Sequence, residues 1–365
     1  MAGVTYKCPS CGAYLNFEPD SQKWKCPFCD SVFAEDALAD KEEQYQAEAD
    51  AEEAAQQPEE AAEEQSAQET AEDPSQQVTY RCQSCGSEIM TDETTVATHC
   101  YYCHNPVVLQ GKLTADMRPD KVLPFAISKE KAVEKFMEWV GKKKYVPADF
   151  FSKAQVEMMS GVYYPHFVNS ATVDAAFSGT GTNTSTSYTM DYIITKTDYY
   201  QVERRGRIRF GNIMRPALKK VNKKLADGIH PFPLEKAKDF SGAYLSGFLA
   251  ERRDMDASEY TEDIRRELEK YSSTMLRETA HYGSLRGDSS VDMRSMDSQY
   301  VLLPTWVLTY PNKNKPDDPY YYAMNGCTGE ICGKLPIDKG KLWRKGLFIG
   351  LLVFAIALLA SYFLF

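Results

Sequence analysis

Apolar side chains recur at helical spacing in two parts of the chain. Between Lys129 and Lys144 they fall on one helix face, and Ser128 precedes the run as a candidate N-cap. Residues 257–282 show the same period, with arginine and glutamate at the intervening positions. Both patterns predict amphipathic helices whose apolar faces pack on a core, and a shorter helix is predicted over residues 216–226.

Runs rich in valine, isoleucine, threonine and aromatic residues predict β-strands around these helices. The predicted strands cover residues 122–127, 162–177, 188–212, 300–310, 320–324 and 330–335. A run of glycine, threonine and asparagine at 179–184 predicts a loop between two of them. These elements predict the α+β fold class, with a mixed α+β body over residues 111–337 and an antiparallel sheet.

The last 19 residues, 347–365, contain no charged side chain. As a helix they would be about 29 Å long, close to the hydrocarbon core of a bilayer, which is about 30 Å thick. The pattern therefore predicts one C-terminal transmembrane helix, preceded by a basic juxtamembrane segment at 338–346. The lysines and arginines of that segment predict a single-pass protein of the cell membrane, with its N-terminal bulk in the cytoplasm.

Charge is distributed unevenly over the 365 residues, whose formal net charge is -10. Residues 34–77 hold 16 acidic residues against a single lysine, whereas the other residues hold 41 lysines and arginines against 36 acidic residues. Because residues 34–77 have almost nothing to bury, they are predicted to be a solvated linker rich in alanine, glutamate and glutamine. The excess of +5 in the other residues is too small to indicate a nucleic-acid-binding surface.

Eight of the ten cysteines form two sets with identical spacing. Each set has two Cys-x2-Cys pairs separated by 14 residues, and each cysteine of the second set lies 74 residues after its counterpart. Two such turns that face each other across a hairpin present four thiolates to one ion, which is the ligand set of a closed tetrahedral zinc site. The sequence predicts two structural Zn²⁺ ions, bound by Cys8, Cys11, Cys26 and Cys29 and by Cys82, Cys85, Cys100 and Cys103.

The two sets define candidate zinc ribbons at residues 1–33 and 78–110. The long linker between them predicts that the two ribbons move independently of each other and of the body. An iron–sulfur cluster on the same ligands, and reduced cysteines without metal, are the alternatives.

Catalytic motifs are not recognisable elsewhere in the sequence. The spacing of Cys327 and Cys332 matches no metal turn, so they are interpreted as small hydrophobic residues, with a redox pair as the alternative. His166, His230 and His281 stand singly. We therefore predict a protein that is not an enzyme and has no small-molecule substrate.

Residues 6–33 and 80–108 resemble transcription-factor-IIB-type zinc ribbons. With the Tyr-Ala-Met-Asn-Gly-Cys-Thr-Gly-Glu hairpin at 322–330 and the apolar C-terminal segment, they make the chain similar to the YdjG-like family of Firmicutes membrane proteins. The resemblance implies a membrane anchor in an envelope-stress assembly. The protein partners that it implies are SPFH (flotillin-like) and phage-shock-protein-A-like (PspA-like) proteins.

The leading functional hypothesis is a non-enzymatic, membrane-anchored scaffold or adaptor, whose zinc ribbons recruit these partners to the cytoplasmic face of the membrane. The alternative is a membrane-tethered nucleic-acid-binding protein, and a thiol-based redox sensor is the third hypothesis. In each ribbon the acidic side chains match or outnumber the basic ones, so no nucleic acid is expected as a partner.

Overall fold

The computed structural model describes residues 6–38, 77–81, 88–100, 105–109, 117–147, 152–220, 226–310, 312 and 320–364. The chain divides into two compact units. The first comprises Met1–Tyr164, Lys220–Arg252 and Leu302–Phe365, and the second comprises Pro165–Lys219 and Arg253–Val301.

Strands account for 44% of the structure. In chain order they are β1 (Asn16–Glu18), β2 (Lys23–Lys25), β3 (Val32–Phe33), β4 (Gln77–Arg81), β5 (Glu88–Asp92), β6 (Thr95–His99), β7 (Pro106–Val108), β8 (Lys121–Val122), β9 (Ser160–Tyr188), β10 (Ile193–Pro216), β11 (Lys238–Asp239), β12 (Leu249–Glu251), β13 (Ser284–Tyr310), β14 (Tyr320–Asn325) and β15 (Ile331–Lys334). The α-helices are α1 (Lys129–Gly141), α2 (Lys153–Glu157), α3 (Thr261–Glu278) and α4 (Lys339–Leu364).

One large sheet contains most of these strands, in the order β11-β8-β13-β9-β12-β6-β7, with β10 paired to β9 and with β14 and β15 following β13. Strand β12 runs parallel to β9, whereas β10–β9, β11–β8, β12–β6, β13–β14, β14–β15 and β6–β7 are antiparallel pairs. The predicted α+β body with an antiparallel sheet is therefore wrong, because the fold is mostly β and the large sheet is mixed. The parallel pair joins segments far apart in the chain, and the period of apolar positions carries no information about such pairing.

The predicted loop at 179–184 lies inside a strand. Strands β9 and β10 form one long antiparallel hairpin that reverses only at residues 189–192. The glycines of the run permit close approach rather than a turn, since a Cβ on Gly179 would lie 2.2 Å from the backbone oxygen of Arg286 in β13, and a Cβ on Gly181 would lie 2.5 Å from the ring of Tyr282.

The two longer predicted helices are confirmed. Helix α1 begins at Lys129 as expected, and α3 follows a 3-10 turn at Ala257–Tyr260. The predicted helix at 216–226 does not begin where expected, because β10 extends to Pro216. Residues 221–225 of this prediction lie outside the described residues. The buried side of α1 consists of Ala132, Phe136 and Val140, as its apolar period indicates.

The C-terminal helix, α4, joins the basic segment and the apolar segment into one element. In the part of the chain that the structure describes, no helix combines the length and the apolar character needed to cross a bilayer. The predicted transmembrane helix at 347–365 is therefore wrong, and so is the single-pass membrane localisation that depended on it.

The first four-cysteine module, residues 6–38, packs directly on the body of the first unit. Strand β2 carries Trp24, which is only 1% exposed and whose Nε1 donates a hydrogen bond to Ala243 O at 2.8 Å. Close by, Ser246 Oγ donates to Leu15 O. The expectation that this module moves independently of the body is therefore wrong.

Aromatic rings fill the interface between the module and the body. The ring of Phe17 lies 5.1 Å from that of Trp24 and 5.2 Å from that of Tyr244, measured between centroids. Phe248 lies beside them and stacks on Phe125 at 4.3 Å. Such ring pairs contribute about 0.5–1.5 kcal/mol each beyond the burial of their area. The module and the body thus share one aromatic core.

Polar contacts attach the turn between β1 and β2 to the body. Asp20 accepts a hydrogen bond from Lys131 Nζ at 2.8 Å, and this contact holds the pKa of Asp20 below its usual range. Gln22 Nε2 donates to Phe125 O at 2.7 Å. The Asp20 carboxylate lies near the first turn of α1, where a negative charge interacts favourably with the helix dipole.

The second module, residues 77–109, contributes strands to the large sheet. Strand β6 pairs with β7 on one side and with β12 on the other. Side chains reinforce the pairing of β6 with β12, since Thr94 Oγ1 donates to Glu251 Oε2 at 2.6 Å and Arg252 pairs with Glu93 at 2.7 Å. The described part of this module is therefore also fixed to the body.

Replacing Trp24 with alanine should lower the free energy of unfolding by about 3–5 kcal/mol, because it removes a buried indole and leaves Ala243 O without its donor. The matched control is Phe28→Ala in the same module, where the side chain is exposed and only one ring pair, with Tyr14, is lost, so the expected change is about 1 kcal/mol or less. Urea unfolding followed by circular dichroism measures both. Equal effects of the two substitutions would contradict the docking of the module on the body.

Candidate metal centre

The four cysteines of the first module come together at one point. Their sulfur atoms all lie within 4.8 Å of one another. Cys8 Sγ is 3.6 Å from Cys29 Sγ, and Cys11 Sγ is 3.5 Å from Cys26 Sγ. Four sulfurs placed tetrahedrally at about 2.3 Å from an ion would be about 3.8 Å apart, so the cluster fits a metal ion of that coordination. These four residues can therefore hold a metal, as the sequence predicts.

Two turns of the same construction present the sulfurs. In the first turn Gly12 N donates to Cys8 O at 2.9 Å, and in the second Asp30 N donates to Cys26 O at 3.0 Å. The residue that closes each turn has a positive φ, 77° at Gly12 and 57° at Asp30. Glycine adopts this conformation without strain and aspartate tolerates it better than most residues, which explains both choices at these positions.

The two exposed cysteines, Cys11 and Cys29, have pKa values shifted in opposite directions. Hydrogen bonding by Ser31, whose hydroxyl is 3.2 Å from Cys29 Sγ, lowers the pKa of Cys29 to about 6. At Cys11 the backbone at Ala13 favours the thiolate, but the neighbouring thiols, Cys29 first, outweigh it and raise the pKa to about 12. Cysteine binds metals as the thiolate, and a cation among the sulfurs would offset the charge that ionisation of all four brings together.

Burial divides the cluster into an inner and an outer half. Cys8 and Cys26 are buried, whereas Cys11 and Cys29 are exposed. An ion held by these sulfurs would therefore lie at the surface of the module, away from the aromatic core that Trp24 shares with the body. The centre joins the two turns and leaves their outer side accessible.

The second set of cysteines is described only in part. Cys100 is buried against Tyr80, Val107 and Leu109, and its backbone N donates to Asn105 O at 2.9 Å. The same bond occurs in the first module, where Cys26 N donates to Ser31 O at 2.9 Å. Cys82, Cys85 and Cys103 lie outside the described residues, so one four-cysteine cluster is seen in the part of the chain that the structure covers.

The two remaining cysteines belong to the hairpin of β14 and β15. Cys327 Sγ donates to Pro124 O at 3.3 Å, and burial raises the pKa of Cys327 to about 12. Burial also raises the pKa of Cys332. Thiols held in the protonated form react slowly, in keeping with their interpretation as small packing residues.

Asn325 organises this hairpin, and the sequence analysis missed it. Its Oδ1 accepts hydrogen bonds from the backbone of Cys327 and Thr328, at 2.9 and 3.1 Å, while its Nδ2 donates to Ile229 O and Pro231 O, at 2.8 and 3.0 Å. A fully buried amide with every bond satisfied ties two distant segments together. The Asn-Gly pair at 325–326 is a turn signal, but the partners of its side chain cannot be deduced from the sequence.

Comparison with known proteins reveals one distant similarity. The chain is 29% identical over 244 residues to the protein YdjG of Bacillus subtilis (strain 168), which is described as uncharacterized, and the match covers 66% of this chain and 71% of YdjG. This similarity confirms the predicted YdjG-like resemblance. No family model matches the chain. No solved structure matches it either.

Replacing Cys11 with serine should remove about one equivalent of bound metal per chain, since the hydroxyl is a poor ligand beside three thiolates. Because Phe17 and Trp24 are packed on the body, the loss should also increase hydrogen exchange in the body segment 243–248. Elemental analysis and exchange mass spectrometry measure the two effects. Cys332→Ser, on β15, which pairs with β14 at the far side of the hairpin, is the control and should change neither. Full metal retention in the Cys11 variant would contradict the proposed ligand set.

Proposed function

We propose that this protein is a non-enzymatic scaffold that binds other proteins, and that its four-cysteine modules are zinc ribbons. The observation that carries the proposal is the closed four-sulfur set of the first module, in which cysteine supplies every ligand. Catalytic zinc sites keep a position open for water or substrate, whereas closed sites stabilise structure. A bound zinc ion would hold the two turns together, so the functional part of the module would be the surface around them.

Zinc is the metal that we propose for both sets of cysteines. Iron bound by the same thiolates is the alternative. Elemental analysis of the purified full-length protein should find zinc, at about two equivalents if Cys82, Cys85, Cys100 and Cys103 bind a second ion. Iron in place of zinc, with visible absorption, would contradict the assignment.

An exposed apolar surface lies beside the metal centre. Phe28, between Cys26 and Cys29, is 70% exposed and packs edge-to-face on Tyr14 with 5.5 Å between ring centroids. Val32, in β3, is 48% exposed. We call Tyr14, Phe28 and Val32 the knuckle surface. Exposed aromatic residues on a rigid support are typical anchors of protein–protein interfaces.

The body contacts of the module support this role for the knuckle surface. Trp24 and Phe17 fix the opposite side of the module, so the knuckle surface is presented in a single orientation. A surface that is ordered before binding loses less conformational entropy when a partner binds. This rigid presentation replaces the tethered, independently moving ribbons that the linker predicts.

Charge around the module favours a protein partner over a nucleic acid. Lys25 is paired with Asp30 at 3.2 Å, and Lys131 is paired with Asp20 at 2.8 Å. Nucleic-acid binding draws its affinity from several basic side chains that neutralise phosphates. Both of these lysines therefore already face a carboxylate. The resemblance described above makes SPFH and PspA-like proteins the first candidate partners.

Replacing Phe28 with alanine should weaken capture of an SPFH or PspA-like partner about tenfold or more, because it truncates the central anchor of the knuckle surface. Met158→Ala, which truncates an exposed apolar residue elsewhere in the first unit, is the matched control and should leave capture unchanged. Binding of purified candidates to immobilised full-length protein measures both, and chelation of the metal should also release the partner. Submicromolar, strongly salt-dependent binding to DNA or RNA would instead support the nucleic-acid alternative.

A further inference from the structure

The hairpin of β9 and β10 extends beyond the elements that pack on it. Helix α3 covers one face of the hairpin through a cluster of Ala175, Phe177, Val202, Leu276 and Ala280. The last ring contact on this face is between Tyr200 and Tyr282, at 5.3 Å. Strand β13 begins at Ser284, next to the bond from Gly283 N to Asn183 Oδ1 at 2.8 Å. Residues 184–197 lie beyond both, and we call them the arm.

The tip of the arm is ordered by its own bonds. Thr189 N donates to Tyr192 O at 2.9 Å, and Tyr192 N donates to Thr189 Oγ1 at 3.1 Å. At the other end of the arm, away from the tip, the hydroxyls of Thr184 and Thr197 are 3.2 Å apart across the two strands. The arm is therefore a defined two-stranded ribbon with a closed turn rather than an open loop.

Large apolar side chains are concentrated on the arm and at its base. Tyr188, at the end of β9, is 77% exposed. The other exposed members are Met190, Tyr192, Ile193, Ile194, Tyr199 and Tyr200. A two-stranded ribbon is marginally stable alone, and a concentration of exposed large apolar side chains favours an interaction site.

The edge of the arm is also free. Among the described residues, β10 pairs only with β9, which leaves its other edge without a strand. Natural edge strands are protected by proline, by several charges or by a covering element. Between Ile193 and Gln201 the edge has no proline, and its charges are Lys196 and Asp198, which pair with each other at 3.1 Å.

From this edge we infer that the arm of β10 pairs antiparallel with the same strand of a second copy of this chain, centred on Thr197. This register places Lys196 opposite the partner's Asp198 and Asp198 opposite the partner's Lys196. It also places Ile194 opposite the partner's Tyr200. A two-fold axis thus makes the edge complementary to itself in charge and in apolar character. The inference is independent of the proposed role of the knuckle surface.

Charge substitutions test the pairing in the full-length protein. In a dimer of Lys196→Glu chains, each glutamate at 196 faces Asp198 of the other chain, and in a dimer of Asp198→Lys chains each lysine at 198 faces Lys196 of the other chain. Each variant alone should therefore self-associate about tenfold more weakly. An equimolar mixture of the two variants should recover the association of the unsubstituted protein, because both cross-strand pairs are then of opposite sign. Within each variant chain the bridge between 196 and 198 stays broken, so recovery can come only from contact between chains. Analytical ultracentrifugation measures all four samples.

A second pair of variants tests the apolar part of the interface. Ile194→Lys should abolish self-association, whereas Met158→Lys, at an exposed residue of the first unit, should leave it unchanged. Association through the exposed side chains of α4 would be insensitive to residues 194, 196 and 198. A monomer at every concentration, or an association that none of these substitutions alters, would overturn the inference. So would failure of the mixture to recover association.

Discussion

The burial of the Trp24 indole between the first module and the body is the interaction on which the organisation of the first unit depends. A module of some thirty residues is too small to bury a core of its own, so its stability must come from a metal or from another surface. Here the body supplies such a surface, and the four cysteines can hold a metal. The cysteines join the turns at one end, while Trp24 and Phe17 enter an aromatic cluster with Tyr244 and Phe248 at the other. The metal centre and the body core are therefore two ends of the same small sheet.

Both modules meet the same stretch of the body. Ala243 and Ser246 bind the first module, and β12, which follows them directly, pairs with β6 of the second. Parallel pairing of β12 with β9 then connects this stretch to the large sheet. Packed rings and strand hydrogen bonds therefore hold the described parts of both modules on this stretch of the body.

The proposed self-association concerns a different part of the chain, and the two proposals would reinforce each other. Two copies joined through the arm would carry two knuckle surfaces, and a partner with repeated binding sites would then bind with avidity. Neither surface uses residues of the other. A scaffold that presents paired, rigid surfaces needs no catalytic chemistry to act, since its effect is to raise the local concentration of whatever it binds.

The sequence alone determined those features that depend on local chemistry. The clustering of Cys8, Cys11, Cys26 and Cys29 was predictable because two Cys-x2-Cys turns have few other uses, and α1 was predictable because its apolar period and its start signal are local. Three features were not predictable: the docking of Trp24, the parallel pairing of β12, and the continuation of β9 through the glycine run at 179–184. Each of these depends on a partner that is distant in the chain: a carbonyl at Ala243, a strand far upstream of β12, and a backbone that approaches Gly179. Periodicity shows which side of an element is buried, but only the tertiary structure decides what it is buried against.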